Sequence, residues 1–246
     1  LVIRYNDCGG KMSKIIKIVP TTQLSESFIN ISPASDFIPD WYRKSPLTMN
    51  NEDAALIPSL PFSSYSTYKK CTPFYDALSS GYMVYLSSDI EVINNNNSPE
   101  LVWRTADELI TTHSENQWRG LPVPEGYFPF VFKWQNDLVL KSPKNYSLLF
   151  LNPINRFDLP FQAITGIVDC DAYEIATHFP FFIKKEFTGI IEKGTPIVQI
   201  IPIKRDSWSR QIEKYDEKKY NVKLKEYFST IKRSYKNNYW FRKEYK

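Results

Sequence analysis

GYMVYLSSDIEVINNNNSPELVW, residues Gly81 to Trp103, reads as short strands cut by turn signals. Gly81-Tyr-Met-Val-Tyr-Leu86 and Ile90-Glu-Val-Ile93 are dominated by aromatic and β-branched residues, which fit a pleated, half-buried surface. They lead into Asn94-Asn-Asn-Asn97, a turn, and the chain re-enters an apolar segment at Leu101-Val-Trp103. The same texture continues to residue 203. Strands are predicted at Phe130 to Trp134, Leu138 to Leu140, Ser147 to Leu151, Ala163 to Val168, Phe181 to Lys184, Thr188 to Ile191 and Ile197 to Ile203. Thr105 to Ser114 is the one stretch among them that reads as a short helix. Many short strands at this spacing predict an all-β sandwich or roll.

On either side the pattern changes. Residues 12 to about 60 are rich in Pro, Ser and Asn, with Pro20, Pro33, Pro39, Pro46, Pro58 and Pro61 between short apolar pieces, which predicts an extended arm with little regular structure. Met12 followed by Ser13-Lys14 reads as a translation start, with Leu1 to Lys11 upstream of it. Past Arg205, Trp208, Ile212 and Tyr215, then Leu224, Phe228, Ile231 and Tyr235, recur at steps of four and three. That spacing predicts an amphipathic C-terminal helix, capped at Asp206 or Ser207 and ended by Asn237-Asn238. The expected organisation is an arm over 1–60, a β-roll over 61–205 and a basic aromatic tail over 206–246.

Composition bounds the chemistry. In 246 residues, 42% are apolar, 15% aromatic and 24% charged, enough to bury a core without staples. Cys8, Cys71 and Cys170 form no CxxC pair, so neither a disulfide framework nor a four-cysteine zinc site is expected. Eight glycines against 17 prolines, with no phosphate-loop or dinucleotide fingerprint, remove kinase, GTPase and Rossmann readings. No apolar run approaches the roughly 20 residues that span a bilayer, and the chain reads as soluble and cytoplasmic with no membrane partner. The net charge of +4 hides an asymmetry: from Lys204 onward there are 14 Lys/Arg against 6 Asp/Glu, and 17 against 21 before it.

Four segments, in order, resemble the deoxyuridine triphosphatase superfamily, which includes deoxycytidine triphosphate deaminases and shares a β-clip roll. Ala77-Leu-Ser-Ser-Gly81-Tyr-Met-Val-Tyr85, followed by Asp89-Ile-Glu-Val92, is similar to its opening motif, with Met83 where the family has a metal-linked Asp. Ser142-Pro-Lys-Asn-Tyr-Ser-Leu-Leu149 is similar to its phosphate-binding segment, with Lys144 in the arginine's place. Gly166-Ile-Val-Asp169-Cys-Asp-Ala-Tyr173 is similar to the segment whose aspartate activates water and whose tyrosine packs on deoxyribose. One residue is inserted before Tyr173, and the family's Arg-Gly is absent. Gly194-Thr-Pro-Ile-Val-Gln199-Ile-Ile201 is similar to the closing motif. The resemblance covers about 77 to 203. It implies a dUTPase-like β-clip roll, a homo-oligomer (a trimer by family habit), Asp169 as catalytic base, and Lys144, Ser147, Tyr173 and Gln199 as ligand-binding residues. Mg²⁺ is the cofactor if the chemistry is retained.

The residues also have readings of their own. A Gly-X-X-Asp step at a strand end exposes a carboxylate at a turn, so Asp169 is open to a general-base role or, with Asp171, to capping the turn by side-chain hydrogen bonds, which the turn preference of Asp favours. Gln199, flanked by Ile and Val, must find backbone partners and reads as a strand-bridging core residue. His113, Glu115 and His178 form a second, remoter possibility, a two-histidine, one-carboxylate metal site, because positions i and i+2 of a strand share a face. The tail interleaves cations with aromatics, which suits packing on the acidic body or a neighbour, a protein partner, or nucleic acid.

With the metal carboxylate replaced by Met83 and no glycine after Gly194 to form the family's closing arm, the leading expectation is a non-catalytic structural or binding protein on this roll, of viral or phage type, without a cofactor. Its place would be the host cytoplasm or the virion. A divergent deoxynucleotide triphosphate hydrolase or deaminase is the alternative.

Overall fold

A computed structural model describes residues 14–49, 66–95, 98–229 and 235–246. The Met12 start, Pro58, Pro61, Asn96, Asn97, Ile231 and the side chain of Phe228 lie outside the described residues.

The described chain is predominantly β. Its strands are β1 (Lys17–Pro20), β2 (Ile31–Pro33), β3 (Tyr82–Tyr85), β4 (Ile90–Asn94), β5 (Pro99–Val102), β6 (Ile110–Thr112), β7 (Phe132–Trp134), β8 (Leu138–Lys141), β9 (Tyr146–Leu151), β10 (Phe161–Ala163), β11 (Gly166–Val168), β12 (Phe179–Ile183), β13 (Gly189–Ile191) and β14 (Pro196–Lys204). Helices are few: α1 (Gln23–Ser27), α2 (Asp40–Lys44), α3 (Thr72–Ser79) and α4 (Glu217–Ser229). The strands form four antiparallel sheets, ordered β11-β9-β14-β3-β2, β10-β12-β7-β6, β13-β4-β5 and β1-β8.

β14 organises the largest sheet because Pro196 to Ile200 are all buried, apolar except for Gln199, as a strand with neighbours on both edges requires. It pairs with β3 on one edge, Gln199 opposite Met83, and with β9 on the other, Gln199 opposite Leu151. Across the interior, Phe150 of β9 meets Phe179 of β12 at 5.4 Å, which joins this sheet to the one carrying Trp134 and Phe181. Those two rings stack at 3.9 Å, and Phe161 meets Trp134 edge-on at 5.5 Å. Offset and edge-on aromatic pairs of this kind add about 0.5–1.5 kcal/mol each beyond area burial. One continuous hydrophobic cluster takes side chains from the three larger sheets and from β8.

Three expectations are corrected. The described part of the N-terminal arm is not merely an extended cover: β1 pairs with β8, and β2 adds an edge to the largest sheet, where Asn30 Nδ2 donates to the Tyr85 carbonyl at 2.8 Å. Short strands framed by prolines escape a reading based on proline content, because proline is tolerated at strand ends and edges. Thr105 to Ser114 is not helical; its β-branched end, Ile110–Thr112, pairs with β7. The tail helix starts only at Glu217, where Asp216 accepts the Lys219 N–H at 3.0 Å. Trp208, Ile212 and Tyr215 are 90%, 87% and 78% exposed, so among the described residues this part of the stripe is left largely in solvent, with Tyr215 meeting Tyr220 at 6.5 Å. The body is instead met by the last residues: Trp240 Nε1 and Lys243 Nζ both donate to Asp76 Oδ2 of α3, at 2.8 and 2.5 Å. No described helix is long and apolar enough to cross a membrane.

Gly81, between α3 and β3, is fixed by close approach. Its φ is +76°, and a Cβ there would lie 1.9 Å from the Ile200 carbonyl oxygen of β14. Gly81→Ala is therefore expected to lower stability by at least about 2 kcal/mol, since left-handed strain and overpacking each cost about 1–3 kcal/mol. Urea denaturation of the two proteins measures it, and an unchanged midpoint would contradict the close approach.

Candidate functional site

The turn after β11 is built where three strands end together. Val168 closes β11 opposite Leu148, so the next residue, Asp169, emerges beside Ser147 at the start of β9. The Asp169 carbonyl accepts the N–H groups of Ala172 and Tyr173, both at 2.9 Å, and winds the chain into a tight turn. On the other side β14 pairs Ile203 with Ser147, and the Arg205 N–H continues that ladder to the Asn145 carbonyl at 2.9 Å. The strand end thereby delivers the Arg205 guanidinium to the turn.

The side chains there form one network. Ser147, 1% exposed, donates from Oγ to Asp169 Oδ1 at 2.6 Å. Arg205 Nη1 lies 3.2 Å from the same oxygen and donates to Asp171 Oδ1 at 2.8 Å, while Nη2 donates to Asp171 Oδ2. Asn145, held at φ 67°, turns its backbone N–H onto Asp171 Oδ2 at 2.9 Å. The Arg205 hydrogen bonds, then the Asn145 N–H, hold the Asp171 carboxyl down at about 2. Burial first, and the two neighbouring carboxylates second, push the Cys170 thiol up to about 11, so it is not a nucleophile near neutrality.

Of the residues singled out in the sequence, this arrangement joins Ser147, Asp169 and Asp171. Lys144 stands exposed at the tip of the β8–β9 turn, and Tyr173 is exposed just past the Asp169 turn. Gln199 belongs elsewhere. It is four residues further along the β9 register than Ser147, about 13 Å away at strand rise, and it is fully buried. Its Oε1 accepts the Ile154 N–H at 2.9 Å, and its Nε2 donates to the carbonyls of Ala77 and Ser80 at 3.0 and 2.7 Å. All three hydrogen bonds go to backbone groups, so it clamps the end of α3 and the 152–156 loop to β14. Arg205 escaped sequence reading because it marks the boundary of the tail there; the available signal was two acidic residues, Asp169 and Asp171, in one turn with no nearby cation in sequence.

The metal readings do not fit. The His113 N–H is bound to the Val131 carbonyl at one end of β7, whereas His178 Nδ1 accepts the Asn136 N–H at 3.1 Å beyond the other end. Five residues of extended chain separate these points, about 16 Å, so no ion bridges the two imidazoles. Burial and the Lys133 charge lower the His178 pKa, in keeping with an Nδ1 that accepts a hydrogen bond. Among the described residues no group of three or more His, Cys, Asp and Glu is placed to hold a metal. A Mg²⁺ ion needs oxygen ligands on its inner shell, yet here a guanidinium already lies between the carboxylates of Asp169 and Asp171. Met83, which the sequence resemblance sets against a metal-linked Asp, is 2% exposed in β3.

No model of a known protein family matches this chain, and no curated protein sequence matches it.

Two measurements follow from this geometry. Gln199→Leu would orphan one N–H and two carbonyls of half-buried residues, and is expected to cost about 1–3 kcal/mol, read as a lowered melting temperature; an unchanged melting temperature would sink the clamp. The Asp171 carboxyl is depressed from its ordinary 3.8 to about 2 in the folded chain, so it stabilises above pH 4 and that contribution is lost as pH falls from 4 through 2. Asp171→Asn should flatten the fall in melting temperature over that interval, and an equally steep profile would count against the latch.

Proposed function

We propose that this is a non-catalytic structural or binding protein on a β-roll of the deoxyuridine-triphosphatase type. The observation that carries the reading is the Asp169 turn. The carboxylate that would activate water has its Oδ1 engaged by Ser147 and faces Arg205, which also grips Asp171. A general base needs a carboxylate oxygen directed at water in a pocket that also grips the substrate. Around this turn Lys144 and Tyr173, which the resemblance assigns to ligand binding, are solvent-exposed side chains. Gln199, which the resemblance assigns to ligand binding, and Met83, which it sets against a metal-linked Asp, are core residues and support the same reading.

A cavity of about 350 Å³ lies away from the turn, among Ser35, Asp76, Ser79, Trp240, Lys243 and Tyr245, where the C-terminal residues meet α3. That location supports recognition of polypeptide over turnover of a nucleotide.

The test is direct. Purified protein with Mg²⁺ and deoxyuridine or deoxycytidine triphosphate is expected to release neither pyrophosphate nor ammonia above the blank. Turnover that disappears in Asp169→Asn would overturn the proposal in favour of a divergent hydrolase or deaminase.

A further inference from the structure

The crossover from β11 to β12, residues 169–178, is fastened to the body in three places. Its start is the Asp169–Asp171 turn gripped by Arg205. In its middle, Glu174 Oε1 accepts from Lys141 Nζ of β8 at 2.6 Å. Its end meets the corner between β7 and β8 through Asn136, which is 4% exposed. The Asn136 amide Nδ2 donates to the Thr177 carbonyl at 3.1 Å, and the Asn136 backbone N–H donates to His178 Nδ1 at 3.1 Å. The corner itself is held independently of the crossover. The Gln135 N–H donates to the Leu109 carbonyl, and the Thr21 N–H and Oγ1 both donate to the Asp137 carbonyl, each at 2.9 Å.

We propose that His178 is a proton-operated latch: its neutral ring fastens the end of this crossover to the β7–β8 corner, and a proton on Nδ1 releases it while Arg205 keeps the start in place. The hydrogen-bond direction carries the argument. An imidazole nitrogen that accepts a backbone N–H must use its lone pair, so the ring holds its one proton on Nε2. The imidazolium has N–H groups at both nitrogens, which would set Nδ1–H against the Asn136 N–H and leave that buried donor without its partner. The charged groups facing the ring are Lys133 of β7 and Asp137 of the corner. Burial and then Lys133 lower the His178 pKa from its ordinary 6.5, against the opposing effect of Asp137. The latch therefore contributes fully above about pH 6.5 and is lost as pH falls below it. The other two fastenings keep their charges over that interval, since Arg205 holds Asp171 at about 2 and Lys141 keeps Glu174 below the usual glutamate range. Release thus frees one end of a segment that carries Tyr173 and Ile175, 43% and 65% exposed, without unfastening its root.

The latch is independent of any chemistry at the Asp169 turn, and its test is read without substrate. Amide hydrogen exchange of the full chain is followed by NMR at about pH 7.5 and about pH 5.5, roughly one unit either side of the ordinary histidine value, with rates corrected for their intrinsic pH dependence. Protection of the Asn136 N–H and of residues 174–177 is expected to fall at least about tenfold on acidification, the scale of a buried donor losing its partner. Protection of the Arg205 N–H, bound to the Asn145 carbonyl, should not change. The His178 ring nitrogens, observed in the same sample, should show the proton on Nε2 at the higher pH. His178→Asn places a carbonyl oxygen near the position of Nδ1 and does not titrate, so it should abolish the fall, while His113, the other histidine, is present in both proteins. A proton on Nδ1 at the higher pH overturns the latch. So does protection in the unsubstituted protein that is flat with pH or falls equally at Arg205, or a fall that persists in His178→Asn. The first three of these outcomes are read on the unsubstituted chain, so they hold whether or not the variant folds.

Discussion

A glutamine amide buried in the middle of an apolar strand is the constraint around which the largest sheet is arranged. An unpaired amide at a site with no solvent exposure would cost several kcal/mol, so the surroundings of Gln199 must supply backbone partners on both sides. The Ile154 N–H fixes the loop after β9, and the Ala77 and Ser80 carbonyls fix the end of α3. The residue after Ser80 is Gly81, whose missing side chain allows the chain to pass the Ile200 carbonyl, one residue from the glutamine. The Gly81 carbonyl in turn accepts the Ala34 N–H at 2.9 Å, which ties in the segment after β2. Hydrogen bonding at one side chain and close approach at its neighbour therefore set the meeting of α3, β2, β3 and β14.

Much of this was legible in sequence because the strands are buried and their punctuation is strong. The runs at 81–86, 90–93, 147–151 and 197–203 correspond closely to β3, β4, β9 and β14. The run from Ala163 to Val168 was harder: Ile164 and Thr165 carry the chain from the four-stranded to the five-stranded sheet, so an apparently single strand is the end of β10 and the whole of β11. Nothing in apolar content marks such a transfer. The helix α3 was missed because its stretch is short and partly exposed, although Pro73 in its first turn is a known start signal.

The tail shows the opposite failure, a periodic pattern that the chain does not fully use. Apolar residues at helical spacing predict a helix only if something covers them, because most helical stability comes from packing an apolar face. Over 206–216 no described part of the chain buries them, and the backbone is not helical there. Helix begins where a local interaction suffices, at the Asp216 cap, and continues through residues whose side chains are mostly solvated. Periodicity alone could not distinguish these cases.

Arg205 links the site and the tail. Two carboxylates separated by one residue in a tight turn repel each other, and a cation reaching both relieves that repulsion while leaving the turn locked. The cation comes from the residue that ends the ladder of β14, held by its own N–H to Asn145, and the chain beyond it is the solvent-exposed arm. A pull on the arm therefore meets first the Arg205 contacts and only then the sheet. The carboxylate pair is best understood as the anchor of the arm's root, since the same guanidinium that neutralises it fixes the direction in which residues 206 onward leave the body. The same contacts that relieve the carboxylate repulsion therefore fasten the root of the segment that follows β14.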